Sequence, residues 1–241
     1  MVPALALLAG FPHKLATGTS LTAIIPISLA ATIGYATAGE VEWLHAGLIT
    51  LGALAGALAG TRYLKTTSAP ILQIAFAGLI LFTAARLVFG ADFDTAGSSE
   101  VTTASAVGLV LTGLAAGSLA GLFGVGGGVV IVPALAILFG VPMLEAKGTS
   151  LAVIIPTAVL GTWRNSRAGL TEIGPGLAIG VAGVLSALGA VRLSLVLDER
   201  VSAVLFAALL VVMALRMVLA ARADLARRRL QPAGVEGRIG R

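Results

Sequence analysis

The chain has 241 residues, a formal net charge of +5 and no cysteine. Hydrophobic residues make up 58% of it and charged residues 11%, with mean hydropathy +1.03, whereas soluble globular proteins carry about 25% charged residues. This composition excludes a soluble globular enzyme, a disulfide framework, an iron–sulfur site and a thiol nucleophile. His13 and His45 are too far apart in sequence to suggest a metal-ligand cluster and read as interfacial polar residues.

Uncharged or nearly uncharged runs recur at 15–38, 46–61, 66–85, 101–122, 125–144, 146–163, 173–191 and 201–215. A helix crosses a hydrocarbon core of about 30 Å with roughly 20 apolar residues. One such run would fit a buried soluble core. Eight predict an all-α polytopic membrane protein. Met1 is followed at once by VPALALLAG, with neither a basic leader nor a cleavage region, so no cleavable signal is expected.

The first long run holds Gly18, Thr19, Ser20 and then Pro26. The second contains GALAGALAG, where Gly52, Gly56 and Gly60 at four-residue spacing predict close helix packing. Trp43 and Trp163 suit interfacial anchoring. Residues 90–100, GADFDTAGSSE, are an acidic linker carrying Asp92, Asp94 and Glu100.

Next comes GLFGVGGGVVIVPALAILFG, with Gly124 and Gly126, Gly127 and Gly128 inside an apolar run. A phosphate loop would need Lys and Ser or Thr after its last glycine. A dinucleotide fingerprint would need GxGxxG between a strand and a helix. Neither pattern is present. Each glycine costs a helix about 1 kcal/mol, so three together predict an unwound hinge in a protein-lined cavity. The expected form is a helix, a glycine hinge and a short helix returning to the same face, with Pro133 in its early turns.

The chain repeats itself at an offset of 130, residue 2 falling on residue 132. VPALALLAGFPHKLATGTSLTAIIPISLAATIGYATAG (2–39) matches VPALAILFGVPMLEAKGTSLAVIIPTAVLGTWRNSRAG (132–169) at about half its positions. The apolar runs continue in parallel, 46–61 with 173–191 and 69–89 with 199–219. The organisation expected is a first membrane repeat at 1–89, the linker at 90–100, a second repeat at 101–220 and a basic tail at 221–241. The first repeat begins at VPALA, without the apolar segment and glycine hinge that precede it in the second. About thirty residues thus lack a counterpart: an upstream in-frame segment ending in such a hinge is expected, with an asymmetric first half as the alternative.

Basic flanks face the cytoplasm. Arg222, Arg227, Arg228 and Arg229 place the tail there, beside anionic lipids rather than nucleic acid. Counting back puts Arg164, Arg167, Arg62, Lys65 and Lys14 inside, and the linker, Glu40 and Glu42 outside. Lys147, Arg192, Arg200 and Arg86 are exceptions. The run 15–38 and its copy then cross in opposite directions, which is an inverted-topology repeat. Parallel halves are the alternative and would put Arg62 and Lys65 on the other side.

Polar and helix-breaking residues are copied together: Gly18, Thr19, Ser20 and Pro26 with Gly148, Thr149, Ser150 and Pro156. Proline frees the carbonyl four residues back, here Thr22 and Ala152. Hydroxyls, freed backbone groups and helix N-termini suit a small anion. These residues, with Gly126, Gly127, Gly128 and Asn165, are the candidate substrate-binding set, expected to converge on one cavity near the midplane. The plainer reading is that Thr and Ser bond their own helices and Pro only kinks them. Arg164 either draws an anion to the inner mouth or is a positive flank. The expected partners are a small anionic solute, with proton coupling left open, and the lipid bilayer. No cofactor, metal or catalytic set is expected.

GxGGGxxxVPAL with the duplicated GTSL and IIP elements resembles the TauE/SafE (sulfite exporter, TSUP) family of permeases. The second half carries the full pattern through Gly126, Gly127, Gly128, Pro133, Gly148, Thr149, Ser150 and Pro156; the first carries it from Pro3 through Gly18, Thr19, Ser20 and Pro26. The resemblance runs from residue 2 to about 219. It implies transport of small anions such as sulfite or organosulfonates across a cell membrane, in bacteria the inner one. A permease for another small solute and a non-transport membrane protein remain alternatives.

Overall fold

A computed structural model describes residues 11–63, 77–78, 80–86, 89, 102–123 and 127–230. Its elements are α1 (His13–Thr37), α2 (Trp43–Tyr63), α3 (Thr103–Phe123), α4 (Gly128–Leu138), α5 (Met143–Arg167), α6 (Ile173–Val196) and α7 (Glu199–Leu230). The chain is an all-α, multi-span membrane protein. Among these, α1 from Gly18, α5 and α6 are long and apolar enough to span a bilayer. The outward sides of α6 and α7 carry Val181, Leu185, Val196, Leu205 and Leu219. Such residues are at home against lipid.

The helix ends follow from the duplicated sequence. Pro12 and Pro142 stand at the N-caps of α1 and α5 with φ near −54° and −51°. Proline suits a helix start because the missing N–H would have no intrahelical partner there. Gly39 and Gly169 follow the two C-termini with φ of +81° and +67°. Only glycine takes that conformation without strain, and it turns the chain out of the helix. The N–H of Glu40 then returns to the Tyr35 carbonyl, as that of Leu170 returns to Asn165.

The chain divides into two compact units that cut across the sequence halves. One comprises Met1–Tyr63 and Asp92–Ala203, and so contains α1 to α6; the other comprises Leu64–Ala91 and Val204–Arg241. In the second unit, Ala77, Ile80 and Ala84 are buried along one helical stripe, and Ala207, Leu210 and Ala214 along another. The predicted run 66–85 lies mostly outside the described residues. The helix begun by the run 201–215 continues to Leu230, into the basic tail. Ala, Leu and Arg are strong helix formers, which carries it past the apolar stretch.

In the first unit, α5 runs antiparallel to α1, since Gly148 lies beside Tyr35 and Gly161 beside Leu21. Helix α6 runs parallel to α1, with Gly176, Gly180 and Gly183 against Thr22, Pro26 and Ile27. Helix α3 runs parallel to α2. Gly52 and Gly56 meet the Val110 and Leu114 backbone, while Gly113 and Gly117 meet that of Ile49 and Ala53. A side chain at any of these four glycines would overlap a carbonyl oxygen of the facing helix. In lipid no hydrophobic force draws helices together, so such close packing is what holds them. The packing predicted for Gly52 and Gly56 is present; Gly113 and Gly117 complete it.

Candidate functional site

Helix α4 has 11 residues, about 16 Å at 1.5 Å per residue, so its start lies well inside the unit. It runs back along α5 from Gly128, whose missing side chain leaves room beside Ile154 and Ser150. Gly127 is buried and packs near Ala116 of α3. Gly126 lies outside the described residues. Helices α3 and α4 run antiparallel, with Gly127 near Ala116 and Gly108 near Phe139; the chain between them, 124–126, lies outside the described residues. Gly128 lies beside Ser150, whose hydroxyl donates to the Lys147 carbonyl at 2.8 Å.

The two GTS elements are used at opposite ends of the α1–α5 pair. Thr149 Oγ1 accepts the N–H of Glu42 at 3.0 Å, and Thr19 Oγ1 accepts the N–H of Glu172 at 3.1 Å. Glu42 precedes α2 and Glu172 precedes α6, so each threonine satisfies a backbone donor at a helix start in the other half. Gly18 faces the Leu170 carbonyl and Gly148 the Glu40 carbonyl, with no room for a Cβ. All four pairings are related by the same offset of 130 in sequence.

The expected convergence of both GTS elements on one cavity is therefore corrected. Ser20 and Ser150 each lie about 10 Å along their own helices from the start, and roughly 20 Å apart along the axes. Antiparallel docking is the cause: it carries the start of each helix to the end of the other. The structure brings Gly127, Gly128, Ser150 and Ile154 together and leaves Gly18, Thr19 and Ser20 at the far end.

Hydroxyls line the contact between α1 and α5. Thr22 Oγ1 donates to Thr162 Oγ1 in a long bond of 3.5 Å. Thr32, the copy of Thr162, is buried with no partner for its Oγ1. The residue that would complete the second pair is Ala152, the copy of Thr22. The side chains of Thr22, Thr32 and Thr162 are not in the candidate set drawn from the sequence. The repeat itself marks one pair of them, because Thr32 and Thr162 are identical at the shared offset.

Pro26 packs against Gly180, and Pro156 is half-buried. Thr157, beside Pro156, donates to the Ile154 carbonyl at 2.9 Å. Asn165 lends its backbone carbonyl to the end of α5. Arg164 donates to the Ala57 carbonyl of α2 at 2.8 Å, and the guanidinium of Arg167 lies 4.2 Å from the centre of the Trp163 ring. Ser118 donates to the Leu114 and Gly56 carbonyls and so belongs to the α2–α3 packing. Among the described residues, no group of His, Cys, Asp or Glu is placed to hold a metal ion.

Comparison with known proteins agrees with this architecture. The family of sulfite exporter TauE/SafE proteins matches residues 1–87 and 109–240. The probable membrane transporter protein YdhB of Bacillus subtilis is 32% identical over 165 residues, 67% of this chain and 66% of that protein. A probable membrane transporter protein of Haemophilus influenzae is 38% identical over 128 residues, 48% of this chain and 46% of its own length. One from Xylella fastidiosa is 27% identical over 162 residues, 67% and 62%. The chain thus spans under two thirds to about half of these relatives' lengths. No solved structure matches it. With the family pattern covering most of its length and its helices arranged as a multi-span bundle, the chain belongs to the sulfite exporter TauE/SafE family.

Proposed function

We propose that the protein is a secondary transporter of a small anion of the sulfite or organosulfonate class, built from two repeats of opposite membrane orientation. The observation that carries the reading is the reciprocal pairing of Thr19 with Glu172 and Thr149 with Glu42 across antiparallel α1 and α5. A two-fold axis relating such a pair is perpendicular to both helices. For helices that span a bilayer, it lies in the membrane plane. Alternating access in many transporters is a rocking of one such repeat against the other.

The family name supports the anion. So does the start of α4, a glycine-rich helix N-terminus at partial depth beside Ser150. Such an end presents N–H groups and a partial positive charge. Burying an anion is costly unless donors replace its water, and the backbone at Gly127 and Gly128 brings donors without a fixed charge. Gly126 and Asn165 stay in the proposed set, with Gly18, Thr19, Ser20, Pro26, Gly148, Thr149 and Pro156 shaping the helices that frame it. The basic tail faces the cytoplasm of a bacterial inner membrane.

Uptake into proteoliposomes holding the purified chain tests this. Sulfite, thiosulfate, sulfoacetate and taurine are offered with and without a proton gradient. Saturable uptake of at least one of the anions is expected. No uptake above protein-free vesicles for any of them would overturn the reading.

A further inference from the structure

Lys147 breaks the repeat. Its copy is the neutral Thr17, and it is the one charged residue in the run 146–163. Its ammonium is half-buried and donates to Ser194 Oγ at 3.5 Å and to Ser202 Oγ. Ser202 is 3% exposed. Tyr35, 4% exposed, stands near Ser194 at the end of α1, with the Glu40 carboxylate also close to it. The ends of α1 and α6 and the starts of α5 and α7 thus bring four polar side chains to one end of the first unit. At the other end, the copy of Tyr35 is Asn165 and the copy of Glu40 is Leu170. The two ends are chemically different although the helices repeat.

We propose that Lys147, with Ser194, Ser202 and Tyr35, forms a loading site for a small oxyanion at this end, and that Lys147 makes the transporter select anions over neutral solutes. This rests on the transport reading above.

The chemistry follows from the donors. A hydroxyl that accepts from an ammonium still has its own proton to give. Lys147 therefore polarises Ser194 and Ser202 as donors toward an oxyanion, and charge-assisted hydrogen bonds of this kind are about twice as strong as neutral ones. Position supports it. Lys147 and Ser150 are one helical turn apart, joined by the bond from the Ser150 hydroxyl to the Lys147 carbonyl, so the charged cluster lies one turn before the Gly128–Ser150 contact. Thr32, one turn before Tyr35 on α1, is buried with an unbonded hydroxyl, which leaves an unused donor next along that face. A charged group at the membrane edge gathers the ion, and a neutral group deeper in lets it go. The plain alternative is a lysine that only reaches for the interface.

The test is sulfite uptake by the full chain in proteoliposomes, comparing wild type with Lys147→Gln and Lys147→Arg. For Lys147→Gln, KM should rise about tenfold with the maximal rate changed less than about threefold, the loss of one charge-assisted contact. Lys147→Arg should keep KM within about threefold of wild type, since the charge remains. If Lys147→Gln does not reach the membrane, the double variant Ser194→Ala, Ser202→Ala carries the test, with KM expected to rise about fivefold. KM within twofold of wild type for Lys147→Gln, or for the double variant, overturns the proposal. So does Lys147→Arg behaving as Lys147→Gln does. Wild-type vesicles that take up no anion overturn the transport reading and this proposal together; active wild type with an unmoved KM overturns this proposal alone.

Discussion

The hydroxyl oxygen of Thr149 accepts the backbone N–H of Glu42 at 3.0 Å, 107 residues away in the chain. Thr19 and Glu172 make the same bond at the other end. Both bonds tie the start of one long helix to the chain just after the end of the other, and both satisfy a donor at a helix start. Thr19→Val and Thr149→Val should each destabilise the protein by about 1–2 kcal/mol, the cost of a buried donor left unmet. Serine at either position should restore most of it. Thermal unfolding in detergent reads this, and unequal losses would show that the two ends are not equivalent.

Gly18 and Gly148 should tolerate nothing larger. Alanine there meets a backbone carbonyl that cannot move without moving a helix end, so the cost should exceed the roughly 1–3 kcal/mol of ordinary overpacking. Gly47→Ala and Gly174→Ala meet open space within their helices and should leave stability unchanged or raise it by up to about 1 kcal/mol. Membrane yield and melting temperature of the four variants separate the two classes.

Thr32 offers the opposite case. Its hydroxyl is buried and unbonded, so Thr32→Val should leave stability unchanged or raise it by up to about 1 kcal/mol. Thr162→Val, which removes the partner of Thr22, should lower it. A Thr32→Val protein that melts lower would mean that the hydroxyl has a partner in the membrane.

Much of the helix plan is legible in the sequence, because length and apolarity decide which segments cross a bilayer. Pro12, Pro142, Gly39 and Gly169 mark helix ends by local rules. The register between helices is not legible in this way. Hydropathy along α1 is nearly uniform around the helix, so no apolar stripe says which of its faces meets which neighbour. That is why the sequence suggests that the GTS elements meet, whereas they stand about 20 Å apart. Lys147 is visible in the sequence only as an exception to charge placement. Its partners Ser194 and Ser202 lie in other helices, and only the packing joins them.

Labelling of single cysteines is the direct test of opposite repeat orientation, and the chain has no cysteine of its own to interfere. Ala38 and Ala168 are copies of one another, both exposed, each just past the end of its helix. Ala38→Cys and Ala168→Cys, probed in intact cells with a membrane-impermeant maleimide, should differ: Ala38→Cys labelled from outside, and Ala168→Cys only after the membrane is opened. Labelling of both from the same side would contradict the inverted repeat.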